Sequence, residues 1–263
     1  MTLLPPAVAG TLRYETRLVL RRKGLWLSLI PLTLLMLLLI LSSEKVSGLA
    51  DPVARVGNTA LLLSIFGTPG VAVILTDQFA AARRPGIADL LDATPAGGTT
   101  RMLGTLIGPL LVVLTPVLAL LFVLSAWWSV AALELEPLFG AAIAALTVIV
   151  PGALALTSFA ALLGVLLPSV VARIVVVVTW FWATVATPSL VPVPTITGTL
   201  FSPAGGYPAA GWLHVDPVWA HRFRTDPLGP AVTTPAILSN IVLVLLLAAI
   251  FFALSRQLVG RRS

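Results

Sequence analysis

The sequence predicts an all-α integral membrane protein with six transmembrane helices and both termini in the cytoplasm. Three observations lead there. Hydrophobic residues make up 58% of the 263 and charged residues only 10%, with a mean hydropathy of +1.05. A soluble domain sits near half apolar and a quarter charged, so most of this chain has lipid for its solvent. Six apolar runs approach the ~20 residues a helix needs to cross the hydrocarbon. Basic residues, finally, gather on alternate sides of those runs.

Residues 12–23 carry Arg13, Arg17 and Arg21 every fourth position, with Arg22 and Lys23 following. A helix there has a basic stripe opposite Leu12, Thr16 and Val19. Such a helix can lie along the inner leaflet with its arginines near anionic headgroups. A plain positive flank of the first span, which needs no helix, explains the same residues.

The expected spans are 25–41, 59–76, 102–127, 138–167, 170–187 and 236–254 within one transmembrane domain, residues 1–263. The first resembles a signal-peptide core, with Gly48-Leu49-Ala50 as a cleavage-like site, but the long segment ahead of it favours a retained span. Only Pro168-Ser169 separates the fourth from the fifth, which demands a tight turn. One continuous helix there would far exceed the bilayer thickness. Pro31, Pro69, Pro109, Pro116 and Pro151 fall inside spans and predict kinked helices whose freed carbonyls are satisfied by neighbours. Residues 188–235 form a long outer loop rich in Pro, Gly and aromatics. Tyr207, Trp212, Trp219 and Phe223 suit packing on the membrane interface or dipping into it. Trp127, Trp128, Trp180 and Trp182 read as anchors or packing residues.

Orientation follows from charge. Arg13, Arg17, Arg21, Arg22, Lys23, Arg83, Arg84, Arg101, Arg173, Arg256, Arg261 and Arg262 fall inside, against Lys45, Arg55, Arg222 and Arg224 outside. Six of the ten acids lie outside.

Several function classes drop out. No charged residue lies near the middle of an expected span, which disfavours ion-coupled transport, proton pumping and voltage sensing. Zero cysteines exclude disulfides, thiolate metal sites and cysteine nucleophiles. His214, Asp216 and His221 match no closed metal-ligand set and read as surface residues. Neither lysine, Lys23 or Lys45, follows the glycine pattern of a phosphate loop, so any nucleotide hydrolysis belongs to another chain. Gly-x-Ser-x-Gly and His-Glu-x-x-His are both absent, which argues against an enzyme.

The one long polar interruption on the inner side is residues 76–101. Within it Ile87, Leu90 and Leu91 share one helical face, with Asp89 and Asp92 opposite. Pro95 stops the pattern and Gly97-Gly98 releases the chain toward the third span. Arg83 and Arg84 precede it, ready for acidic groups or lipid phosphates. An ordinary solvated loop with a helical turn remains the alternative.

The order of elements and the stretch Arg83-Arg84-Pro85-Gly86-Ile87-Ala88-Asp89-Leu90-Leu91-Asp92-Ala93-Thr94-Pro95 resemble the permease subunit of type-2 ABC exporters. That family commonly shows basic residues, then Gly-Thr-x-Glu-Leu-Leu, a small residue or two, and Pro. Gly86, Leu90, Leu91, Thr94 and Pro95 match; Asp89 stands for the glutamate, and Ile87 departs from the threonine. The resemblance implies that residues 86–93 are a coupling helix docking on an ABC ATPase subunit, present in two copies. It implies an interface helix over 11–23, with Arg13, Arg17, Arg21 and Arg22 on it, and short re-entrant helices in the outer loop. It further implies ATP and Mg in the ATPase and no cofactor in this chain. The remaining partners would be a second permease copy or a related permease and the lipid bilayer, with no nucleic acid. The expected location is a bacterial plasma membrane. The rival readings are a non-transporting scaffold or immunity protein and, behind it, a gradient-driven transporter.

Overall fold

The computed structural model describes residues 6–81, 98–186, 195–216 and 228–260. Among these residues every regular element is a helix and none is a strand. Helix α1 (Pro6–Leu20) is followed by α2 (Lys23–Ser42) and the single turn α3 (Glu44–Ser47). Helix α4 (Pro52–Leu62) runs through a π-helical turn, Leu63–Gly67, into α5 (Thr68–Ala81). Helix α6 (Gly98–Ala132) precedes α7 (Glu136–Ala144), which continues through a second π turn, Ala145–Ile149, into α8 (Val150–Leu166). Then come α9 (Ser169–Thr184), the short α10 (Gly206–Trp212) and α11 (Thr234–Gly260).

Five stretches are long and apolar enough to cross a membrane: Lys23–Ser42, Pro52–Thr76, Met102–Ala132, Glu136–Leu166 and Thr234–Val259. The expected fifth span is observed as α9, an apolar helix of 16 residues. At 1.5 Å per residue it is about 24 Å long, short of the ~30 Å hydrocarbon thickness. The break before it falls where the sequence places it. Leu167 is extended, and Pro168 caps the N-terminus of α9.

The second span starts at Pro52, a full two turns before the expected residue 59. Asp51 is its N-cap, accepting from the Val53 N–H at 2.8 Å, and Pro52 supplies the pre-set φ of the first turn. Arg55 and Asn58, which suggest a loop by polarity, are satisfied locally. The Arg55 Nε donates to the Leu49 carbonyl at 2.7 Å and the Asn58 Nδ2 to the Ala54 carbonyl at 2.9 Å.

Both π turns end two residues before a proline, and the chemistry explains why. Pro69 has no N–H for the carbonyl four residues back, Ile65, and its ring crowds that carbonyl. The helix widens there, and the buried Trp180 indole donates to the Ile65 oxygen at 2.8 Å. Pro151 stands in the same relation to Thr147 within the second π turn. An unserved carbonyl at membrane depth costs several kcal/mol, so the Trp180 indole stabilises the first kink by serving the Ile65 carbonyl.

The centre of the molecule is α8. Gly152, Ala153, Ala155, Ala160, Ala161 and Gly164 are all buried, and these small residues let α5, α9 and α11 approach it on separate sides. Helices α2 and α11 instead leave most of their surface to lipid. Leu27, Leu34, Leu38, Val242, Leu246 and Ile250 are exposed, while Leu25, Leu29, Met36 and Ile40 form the single buried stripe of α2.

Candidate functional site

Three places bring polar chemistry into this apolar body. The first is the seam between α1 and the start of α6. Gly104 and Gly108 lie four apart on α6, as in the close-packing pattern of membrane helices. A methyl at Gly104 would come within 2.5 Å of Thr11 Cγ2, and one at Gly108 within 3.2 Å of the Leu12 carbonyl. Between them Thr105 donates to Glu15 Oε1 at 3.4 Å. Burial pushes the Glu15 carboxyl above its ordinary range, against the opposing pull of the Thr105 hydrogen bond and the Arg22 charge. Val19 is fully buried in this seam. Arg13, Arg17, Arg21 and Arg22 are exposed. The indole of Trp26 donates to the Leu20 carbonyl at 2.9 Å and fixes the elbow between α1 and α2.

The second place is the segment 195–216. Thr195, Thr197, Thr199, Ser202, Ala204, Tyr207 and Ala209 are all buried. Its tip reaches α8, where a methyl on Gly152 would come within 2.5 Å of the Pro203 carbonyl. Gly152 is 16 residues from Glu136 and 14 from Leu166, so the tip meets this span roughly 24 Å from one end and 21 Å from the other. Irregular backbone at such depth survives only if enclosed and hydrogen-bonded. Here Asn240 Nδ2 on α11 donates to the Leu200 carbonyl at 2.8 Å and the Ser202 carbonyl at 3.1 Å. Tyr207 donates to the Pro230 carbonyl at 2.9 Å, and the Leu200 N–H to the Leu228 carbonyl at 2.8 Å.

The segment in turn completes α9, which ends short. Thr197 donates to the Trp182 carbonyl at 3.3 Å and Ser202 to the Ala183 carbonyl at 3.3 Å, two of the orphan acceptors in the last turn of that helix. Gly205 turns with φ +77°, a left-handed conformation glycine adopts freely, and a methyl on it would meet Val148 at 2.7 Å. Gly57 on α4 accommodates Leu213 and Val215 equally closely.

The third place is the exposed pair of His214 and Asp51, whose Nδ1 and Oδ2 lie 2.8 Å apart. Slight burial would raise the Asp51 carboxyl, but hydrogen bonds from His214, Val53 and Ala54 and the His214 charge together hold it below its ordinary range. This pair pins the end of segment 195–216 to the start of α4. No group of three metal-ligating side chains forms among the described residues, and Asp216 is exposed.

The residues expected to meet an ATPase, Arg83, Arg84, Gly86, Ile87, Asp89, Leu90, Leu91, Asp92, Thr94 and Pro95, lie outside the described residues, as do Trp219, His221 and Phe223. Tyr207 is fully buried and Trp212 half-buried, so this part of the loop dips inward. Of the other tryptophans, Trp180 is a buried donor and Trp127 is exposed. Sequence reasoning passed over Glu15, Gly104, Gly108, Ser202 and Asn240. A Gly-x-x-x-Gly in a span and a lone acid in a basic helix were the available signals for the first three. No family model matches the chain, and no curated protein or solved structure matches it either.

Proposed function

We propose that the chain is the membrane-spanning permease subunit of an ATP-driven ABC exporter of the type-2 kind, working with separate ATPase subunits in a bacterial plasma membrane. The observation that carries this reading is the order of elements along the chain. A basic helix comes first and packs against the start of the third span. The Arg83–Pro95 motif follows the second span, and segment 195–216 enters the helical body ahead of the last span. The chain has no phosphate loop, so ATP and Mg belong to the partner.

In this mechanism ATP binding draws two ATPase subunits together. Residues 86–93, seated in one of them, pass the displacement to the second and third spans. A second permease copy or a related permease completes the path. ATP shifts the equilibrium only through the difference in its contacts with the two states, and the coupling helix carries that difference. The test is ATP hydrolysis by the complex reconstituted in lipid. Hydrolysis that responds to the permease in the wild type, and loses that response when Arg83 and Arg84 become Glu and Leu90 becomes Asp, supports the proposal. An unchanged response in the variant removes the coupling assignment.

A further inference from the structure

A further cleft lies along α4 and the π turn that follows it. The cleft, of about 100 Å³, is floored by Asn58, Leu61, Leu62, Ile65 and Phe66. These positions follow i, i+3, i+4, i+7 and i+8, the single stripe of one helix face. Ser43 and Lys45 form the wall at one side and Val185, just past α9, the other. The floor drops eight residues from Asn58 to Phe66, roughly 12 Å along the helix. It ends where Phe66 meets Phe181 with ring centroids 6.0 Å apart.

Polarity is graded along this drop. Ser43, Lys45 and Asn58 are its polar lining residues, with the Asn58 amide committed to the Ala54 carbonyl, and Leu61, Leu62, Ile65, Phe66 and Val185 are apolar. The leucine-rich α2 ends at Ser42, so Lys45 stands where the chain leaves the apolar layer, at headgroup level. Among the described residues Lys45 is the one charged residue that lines the cleft. Glu44 is not among the lining residues, and Arg55 is committed to the Leu49 carbonyl. Phe66, 36% exposed, opens the floor sideways toward lipid. Its volume of about 100 Å³ admits part of a narrow alkyl segment.

We propose that this cleft binds an anionic phospholipid, its phosphate at Lys45 and its upper acyl chain along Leu61 to Phe66. A cation at headgroup level attracts anionic lipid, and the stripe below it buries the chain. Nothing here depends on the exporter reading, since the cleft is made by this chain alone and is tested without an ATPase.

The experiment is native mass spectrometry of the detergent-solubilised full chain, titrated with dioleoylphosphatidylglycerol, dioleoylphosphatidylcholine or palmitate. The wild type is expected to hold one phosphatidylglycerol more tightly than phosphatidylcholine. Lys45→Ala should weaken phosphatidylglycerol about five-fold and leave phosphatidylcholine unchanged. Leu62→Trp, which fills the cleft, should remove both. Undiminished phosphatidylglycerol binding by Lys45→Ala overturns the proposal, as does retention of palmitate in place of phospholipid. Because the chain has no cysteine, Leu62→Cys offers a second check in native membranes. A disulfide dimer through that residue would show a second copy covering the cleft, and would also overturn it.

Discussion

Trp180 illustrates how single residues hold a kinked helix at membrane depth. Its indole serves the Ile65 carbonyl that Pro69 leaves without a partner. Trp180→Phe should therefore lower thermal stability in detergent, the lost hydrogen bond contributing about 1 kcal/mol. Phenylalanine is also smaller, so the hydrogen bond must be separated from the packing loss by a double-mutant cycle. With Pro69→Ala, residue 69 regains an N–H for Ile65, and Trp180→Phe should then cost less. Equal losses in both backgrounds would contradict the account. Glu15 gives a prediction of opposite sign. Its carboxyl is raised above the ordinary range, so its charged form is disfavoured in the fold. Whatever it contributes is fully present below its unfolded pKa and is lost as pH rises through the folded one. Glu15→Gln should thus raise the melting temperature at pH 7 relative to wild type, with the gain shrinking toward pH 4. Asp51, held low, behaves conversely: its contribution is present at neutral pH and lost as pH falls through its lowered pKa. Both side chains of that pair are largely exposed, so the effect of Asp51→Asn should be small.

Among the elements, segment 195–216 and α9 depend on each other. A 16-residue helix cannot span the hydrocarbon alone, and an irregular segment cannot enter it unpaired. Thr197 and Ser202 join the two by donating to carbonyls at the end of α9. Gly152→Ala should push the tip at Pro203 away, because the added methyl would meet a backbone carbonyl. Ser202→Cys reports this directly, as the only thiol in the chain. A membrane-impermeant maleimide should label it slowly alone and faster when combined with Gly152→Ala. The same slow rate in both would show that the tip does not sit against Gly152. This interdependence also explains what the sequence disclosed. Apolar runs declared the spans, because lipid imposes length and hydropathy on any helix crossing it. The start of the second span was obscured by Arg55 and Asn58, which read as loop yet satisfy themselves locally. The Asp51-Pro52 cap was the legible signal there. Contacts such as Asn240 with Leu200, 40 residues apart, leave no periodic trace.

At the scale of the whole molecule, a small-residue helix, α8, sits among α5, α9 and α11, while α1 is locked to α6 at Gly104 and Gly108. Displacement of the start of α6 is therefore felt by α1, and displacement of α5 is felt by α8. In chain order the Arg83–Pro95 motif lies between α5 and α6, an element of each group. Its place in the chain was legible from polarity and its residues from a family pattern. On the proposed reading its partner is another protein, which leaves no mark in this one. The most direct measurement is co-purification of the chain with an ABC ATPase expressed beside it. A stoichiometric complex is expected for the wild type, and its loss when Arg83 and Arg84 are reversed to Glu and Leu90 becomes Asp. An ATPase that binds the variant as well as the wild type, or never binds the wild type, would contradict that reading.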